Sequence, residues 1–368
     1  MRDTNRIVST VKAVVRPQDL KGGVTAVHFG DGRIGFLSNA DPKTPAYGEI
    51  LEQLRHIEDP AYVEVNEQNF ITRLLIPIVV KVKRLTRLAT GDLKVELEPS
   101  HARHLLRMSD PDAAQLAEAL QEAQAQNQWV VITETLDDHI IIDVRPPPSP
   151  GPPGPRWPAV AEMLPPEKPV PIPPRLKPVT ADRATELFNF VGKKSCEPTT
   201  VPHPCIPFLY PDDGCWARAH EMCRLIGGLG EQAGKLWMYG NLEVRTPNHP
   251  QCHVCWIWHV APVLSVSNAH APDLWVVDPA LFDRPVTDSQ WKLVQGHNKA
   301  IIVQTDASVY LRNESAWYRR DESFSKTTKT LAQYRLKLKL RSASAVGPPP
   351  YRCRRTASGG GDVGQVCA

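Results

Sequence analysis

The chain has 368 residues, 42% of them hydrophobic, with a formal net charge of +3. That length exceeds what one core supports, so two domains are expected. The near balance of charge gives no field to draw nucleic acid, and no run approaches the roughly 18 apolar residues of a membrane helix, so neither is an expected partner. The N-terminal "MRDTNRIVSTVKAVVRPQDL" lacks an apolar h-region. The expectation is a soluble protein with no visible signal peptide, either cytoplasmic or exported by a signal-less route.

Residues 1–145 read as a small α+β domain. In "TPAYGEILEQLRHI", Thr44 is the expected N-cap and Pro45 the first helical residue, and Tyr47, Ile50, Leu51, Leu54 and Ile57 recur at helical spacing. The runs "AYVEV", "IPIVVKVKRL" and "DLKVELEP" read as strands. "SDPDAAQLAEALQEAQAQ" reads as a helix capped by Ser109 or Asp110. "WVVITETLDDHIIIDV" reads as two strands joined by a turn at Asp137–Asp138. His28, His56, His101, His104 and His139 are scattered, so they are read as solvated or packing residues and the domain supplies no catalytic set.

Residues 146–178 form a Pro-rich linker, expected to be extended and semi-rigid because proline fixes φ and removes a donor. It carries PxxP matches of the kind SH3-type domains bind, and offers Arg156, Lys168, Arg175 and Lys177 to proteases. Residues 179–342 form a second α+β domain. "TADRATELFNFV" opens it as a capped helix, "CWARAHEMCRLI" follows as another, and "KLWMYGNLEV", "CWIWHVAPVLSV" and "DLWVVDPAL" read as strands. "QYRLKLKLRS" alternates leucine with cations and reads as a half-buried edge strand with a basic face. Residues 343–368 are expected to be a disordered tail.

The eight cysteines avoid the first half of the chain. Cys196, Cys205, Cys215, Cys223, Cys252 and Cys255 fall in the second domain, and Cys353 and Cys367 in the tail. Disulfides, thiols and metal ligands all remain open on this count.

Cysteine catalysis needs a thiol of lowered pKa, an imidazole, and a group that orients the imidazole. In "DDGCWARAHEM", Asp213 and Gly214 are plausible cap residues, and Cys215 would sit at a helix N-terminus where the dipole favours a thiolate. His259, in a strand otherwise filled with Trp, Val, Ala and Leu, requires a polar partner, and Asp278 ends the run "LWVV". A buried cysteine, a core histidine and a turn aspartate would each be ordinary alone. The order Cys–His–Asp, on a helix and then successive strands, follows the logic of papain-like and transglutaminase-like enzymes. His220, five residues after Cys215, points away from it on a helix and is read as structural.

With these motifs in view, "CIPFLYPDDGCWARAHEM", "YGNLEV", "CWIWHVAPVLSV" and "VVDPALFDRPVTDSQW" together resemble the bacterial protein-glutaminase family over about residues 183–320. The resemblance implies a transglutaminase-like catalytic domain and hydrolytic deamidation of protein glutamine through a cysteine thioester. It implies a catalytic triad of Cys215, His259 and Asp278, and no metal or organic cofactor. Proteins or peptides with exposed glutamine are the implied partners. Trp216, Trp256, Trp258 and Trp275, next to triad positions, are candidate substrate-binding residues. Cys196 and Cys205 resemble the family's small disulfide loop. Cys252 and Cys255 fall where the family has a cysteine pair, with a different spacing. Family members carry an inhibitory N-terminal pro-region and are often secreted; residues 1–145 stand in the pro-region's position.

Two other readings stay open. Acyl transfer to an amine, as in a transglutaminase, uses the same thioester. A non-enzymatic zinc module could use Cys196, Cys205, Cys252 and Cys255 as ligands.

Overall fold

Period-two alternation in the N-terminal half produces two antiparallel sheets. A computed structural model describes residues 5–16, 23–146, 168–169, 175–199, 205–269, 271–296, 299–313 and 317–353. The chain divides into two units, one of Met1–Pro99, His104–Met163 and Leu336–Pro348, the other of Ser100–Arg103, Leu164–Arg335 and Pro349–Ala368. Most of the Pro-rich linker lies outside the described residues. Among the described residues no helix is long and apolar enough to cross a membrane.

In the first unit, β1 (Arg6–Val15), β2 (Val24–Phe29), β3 (Ile34–Ser38), β4 (Pro60–Val65) and β5 (Ile71–Leu75) form a sheet of order β3-β2-β1-β4-β5. Helix α1 (Thr44–Ile57) covers it with Tyr47, Ile50, Leu51 and Leu54 buried. Its N-cap is Lys43, and Thr44 is already helical, its hydroxyl donating to the Ser38 carbonyl. The second sheet holds β6 (Ile78–Arg87), β7 (Leu93–Glu98), β8 (His104–Leu106), β9 (Trp129–Glu134) and β10 (Ile141–Arg145) in the order β10-β9-β6-β7-β8. Helix α2 (Ala113–Ala125) starts after Asp112 rather than Ser109 or Asp110, because those residues form turns ahead of it. It buries Ala113, Ala117, Leu120 and Ala123 in one core with Ile78, Val80, Val95 and Ile132.

The second unit begins with β11 (Lys168–Pro169), β12 (Pro178–Val179) and α3 (Ala181–Gly192), where Thr180 caps the helix by accepting from the Arg183 N–H at 3.1 Å. Helix α4 (Cys215–Gly228) follows, then β13 (Gly234–Arg245), β14 (His253–Val266), β15 (Asp273–Val276), β16 (Val286–Thr287), α5 (Asp288–Leu293) and β17 (Ile301–Asp306). The main sheet runs β16-β15-β14-β13-β17, with β12 pairing in parallel to the end of β14. Strands β13 and β14 are central and buried on both faces over much of their length, which explains their near-continuous apolar composition. A small sheet holds β11, β19 (Trp317–Arg320) and β18 (Val309–Arg312). The architecture is thus a mixture of helix and sheet, with helix preceding antiparallel strands.

The expected edge strand "QYRLKLKLRS" is instead part of helix α6 (Ser325–Ser342). Its alternation misleads because Lys337, Lys339 and Arg341 are as buried as the leucines. Within the first unit Lys337 meets Glu134 at 2.8 Å, Arg341 meets Asp137 at 2.8 Å, and Lys339 meets Glu49. Polarity along this stretch therefore reports internal ion pairs rather than a solvent face, and Leu, Lys, Arg and Gln are good helix formers. Burial opposes the Glu134 carboxylate, but Lys337, His139 and His104 hold its pKa well below the ordinary value. Lys337→Met leaves that carboxylate buried without its strongest partner. Chemical unfolding should show a loss of about 3–5 kcal/mol, and an unchanged midpoint would contradict the pairing.

The cysteines resolve further. Cys196 and Cys205 are joined, and so are Cys252 and Cys353. Cys255 is disulfide-bonded as well, so Cys252 and Cys255 are not partners of each other. Oxidised in this way, Cys196, Cys205, Cys252 and Cys255 cannot serve as the four thiolate ligands of zinc. They also correct the expected tail: residues 343–353 are described, and Cys353 is tied to Cys252 while the Tyr351 N–H donates to the Pro247 carbonyl at 2.7 Å. The rest of the tail lies outside the described residues. Cys215 and Cys223 are buried free thiols.

Candidate active site

Cys215 is the first residue of α4, and Gly214 before it adopts φ +80. A Cβ there would lie 2.4 Å from the Tyr334 ring, so both backbone and space demand glycine. Gly214 is the N-cap residue and supplies no side-chain cap; Asp213 does other work. Its carboxylate accepts from the Gly214 N–H at 2.9 Å, the Tyr334 hydroxyl at 2.6 Å, the Ser100 hydroxyl at 2.7 Å and the His101 N–H at 3.1 Å. Buried Arg218 donates to the Asp213 and Tyr210 carbonyls and so clamps the loop ahead of the helix.

His259 lies on β14, opposite Met238 of β13. Its ring is stacked between Trp256, at 4.4 Å and 15°, and Trp291, at 5.5 Å and 27°. The Asp278 carboxylate, in the turn after β15, lies 2.8 Å from His259 Nε2 and accepts from Trp291 Nε1 at 3.0 Å. A carboxylate only accepts, so Nε2 carries the proton and Nδ1 keeps its lone pair. Nδ1 is buried with no hydrogen-bond partner among the described residues. Cys215 Sγ and a His259 ring nitrogen lie within 4.8 Å of each other. The structure thus gathers the three sequence-derived residues around one point.

Their electrostatics depart from the sequence-based expectation. Burial pushes the Cys215 thiol well above its ordinary pKa, against the pull of Arg218. Burial also lowers the His259 pKa despite Asp278, while Asp278, opposed by burial, is lowered by His259 and Trp291. A helix N-terminus alone does not generate a thiolate when the sulfur is fully desolvated. In this form thiol and imidazole are neutral.

A further segment, with no motif of its own, reaches this site. Ser100–Arg103 belongs to the second unit, and Ala102 bridges antiparallel to Trp256 while the Ile257 N–H donates to the His101 carbonyl at 2.9 Å. His101 is fully buried. Its Nδ1 lies 3.0 Å from the Trp258 carbonyl, which assigns the proton to Nδ1, and its Nε2 receives the Cys215 N–H at 3.4 Å. No local pattern sets His101 apart from its neighbour His104; only the tertiary structure brings it to Cys215. Asp213, Tyr334 and Trp291 were likewise invisible as site residues, since each acts through a partner distant in sequence.

Of the candidate substrate-binding tryptophans, Trp216 and Trp258 flank the His101 ring, at 6.1 and 5.1 Å, and touch each other at 5.8 Å. Trp216 also donates to the Tyr310 hydroxyl at 3.1 Å. Trp256 supports His259 from behind, and Trp275 sits on β15, paired with Leu264 and Thr287. His220 lies away from this cluster, stacked on Phe324 at 4.6 Å, with Nδ1 2.8 Å from the Lys235 ammonium. Burial and then Lys235 lower its pKa from 6.5 to about 3. Because the folded value is depressed, the unfolded chain takes up a proton that the folded chain refuses between those values. Stability should fall as pH drops from about 6.5 toward 3, and His220→Gln should flatten that slope in denaturant titrations; an equal slope in the variant would contradict the assignment.

The sequence profile of a family described as glutaminase matches residues 184–295, a span that holds Cys215, His259 and Asp278. Among solved structures, a pro-protein-glutaminase is similar at 25% identity with a TM-score of 0.50, over 69% of this chain and 90% of its own. A mutant pro-protein-glutaminase gives 25% identity and a TM-score of 0.51, over 68% of this chain and 89% of its own. A protein-glutaminase from Chryseobacterium proteolyticum is 34% identical over 41% of this chain and 84% of its own, with a TM-score of 0.37. No curated protein matches the chain at comparable significance.

Proposed function

Because the chain belongs to the protein-glutaminase family, we propose that it hydrolyses glutamine side chains of proteins to glutamate, with Cys215, His259 and Asp278 as the catalytic triad. The observation that carries this reading is the Asp278-anchored His259, whose Nδ1 lone pair lies unpartnered beside the Cys215 thiol. His259 takes the thiol proton while Sγ adds to the carboxamide carbon. The Cys215 N–H, at the start of α4, faces the developing oxyanion; one such donor contributes roughly 3 kcal/mol. Collapse of the adduct expels ammonia, protonated by His259, and leaves a thioester. His259 then deprotonates water, which cleaves the thioester to glutamate and returns the thiol. Asp278 holds the Nε2–H tautomer throughout. A transglutaminase-like core is part of this proposal, and the order of α4 with Cys215 and then β14 with His259 supports it.

We further propose that the chain is made in an inhibited form. Ser100–Arg103 covers Cys215, and the His101 ring occupies the Cys215 N–H that a substrate oxygen would use. Trp216 and Trp258, which flank His101, then line the path of the glutamine side chain. Withdrawal of this segment rehydrates the thiol and lowers its pKa. Proteolysis in the Pro-rich linker is the proposed trigger.

The direct test incubates the protease-treated chain with a glutamine-bearing protein and quantifies ammonia and new glutamate. Equal molar yields are expected. A primary amine added to the assay separates hydrolysis from acyl transfer: amine incorporated in place of ammonia-matched glutamate would favour the transglutaminase reading, and no ammonia at all would reject both.

A further inference from the structure

The closed site gathers a ligand set that the deamidation chemistry does not need. Ligand-capable atoms of His101, Cys215 and His259 all lie within 4.8 Å of one another, and all three residues are buried. His259 is bound through Nε2 to Asp278, so Nδ1 presents its lone pair inward. His101 is bound through Nδ1 to the Trp258 carbonyl, and its Nε2 accepts from the Cys215 N–H at 3.4 Å, with an Asp213 carboxylate oxygen also at 3.4 Å; a metal at Nε2 takes the place of that long hydrogen bond. Both rings are thus held in the tautomer a metal requires, one by a carboxylate and one by a backbone carbonyl, the usual outer supports of metal-bound histidine.

We propose that the closed form binds a zinc-class divalent cation through His101 Nε2, Cys215 Sγ and His259 Nδ1, and that this ion latches the inhibited state. Two imidazoles and a thiolate suit zinc, which accepts three protein ligands and leaves a fourth position open. Ligand bonds of about 2.0–2.3 Å place such donors roughly 3.5 Å apart, so the cluster needs to contract by about an ångström. Binding displaces the thiol proton: Cys–SH and Zn²⁺ give Cys–S–Zn⁺ and a released H⁺, with no oxidation or reduction. The bound sulfur no longer attacks an amide, and because His101 is a ligand only when Ser100–Arg103 is in place, the ion stabilises the closed form over the open one. A second cluster, His104, Glu134 and His139, makes a poorer site, because Lys337 already neutralises Glu134 at 2.8 Å.

The binding stands independently of the deamidase reading; only its inhibitory consequence rests on that reading. The test uses the metal-free full-length protein without substrate. Zinc titration by calorimetry should show one equivalent bound with proton release, and cobalt(II) should give a thiolate-to-metal charge-transfer band. Cys215→Ser should abolish that band, whereas Cys223→Ser, which removes the other buried free thiol, should keep it. His101→Gln should weaken zinc binding at least tenfold. Absence of stoichiometric zinc, a band that survives Cys215→Ser, or unaltered affinity in His101→Gln would each overturn the proposal; the Cys215→Ser arm decides even if His101→Gln fails to fold. In the zinc-bound chain, a chelator should speed activation by protease. A metal-free, protease-treated chain that releases no ammonia would count against the deamidase reading and leave the zinc site standing.

Discussion

Cys215→Ser should lower ammonia release from the protease-treated chain by about 10⁴- to 10⁶-fold, because a hydroxyl at that position offers His259 a far weaker nucleophile and the proposed triad would act as a unit. Asp278→Asn keeps the shape of the site but lets the neighbour of Nε2 donate rather than accept. The ring then favours the tautomer that presents Nδ1–H to the sulfur, and a loss of about 10³- to 10⁴-fold follows. The double variant should be little worse than Cys215→Ser alone, since Asp278 has no effect once the nucleophile is gone. Steady-state ammonia assays on the three proteins check this. Multiplying losses, or a Cys215→Ser enzyme within tenfold of the parent, would place the chemistry elsewhere.

Cleavage of the Pro-rich linker should raise both activity and thiol reactivity. In the intact chain Cys215 is buried, neutral and faced by His101, so alkylation by iodoacetamide, read by mass spectrometry, should be slow at this cysteine. Once the N-terminal portion has been cut free and removed, the rate of alkylation and the rate of ammonia release should rise together. If the open form makes up about one per cent of the intact protein, the gain approaches a hundredfold. His101→Ala in the uncut chain should give part of the same gain, since it vacates the Cys215 N–H. Equal alkylation before and after cleavage would reject inhibition by this segment, whatever the activity shows.

Much of the local structure was legible without coordinates. The helices α1 and α3 and strands β4, β7, β9, β13 and β14 follow from 3.6- and two-residue periodicity, with Pro and Thr marking starts, because burying one face imposes that period on any sequence. The failures have physical causes. The stretch ending in "LKLKLRS" looked like a strand because buried lysines and arginines mimic a solvent face when carboxylates from elsewhere in the chain neutralise them. The pairing of Cys252 with Cys353 joins residues 101 apart, and spacing says nothing of such a closure.

At the candidate site the same division holds. The sequence alone determined the family motifs, the residue types, the helix that starts at Cys215, the strand that carries His259 and the strand that Asp278 follows, since these are local matters of pattern. Tertiary structure alone decided that Asp278 meets His259 on Nε2, that Gly214 must be glycine because Tyr334 lies on it, and that the thiol is neutral rather than ionised. It also brought His101, more than a hundred residues upstream, onto the Cys215 N–H. Desolvation and long-range contact depend on what surrounds an atom in space, and a residue's neighbours in sequence carry no record of either.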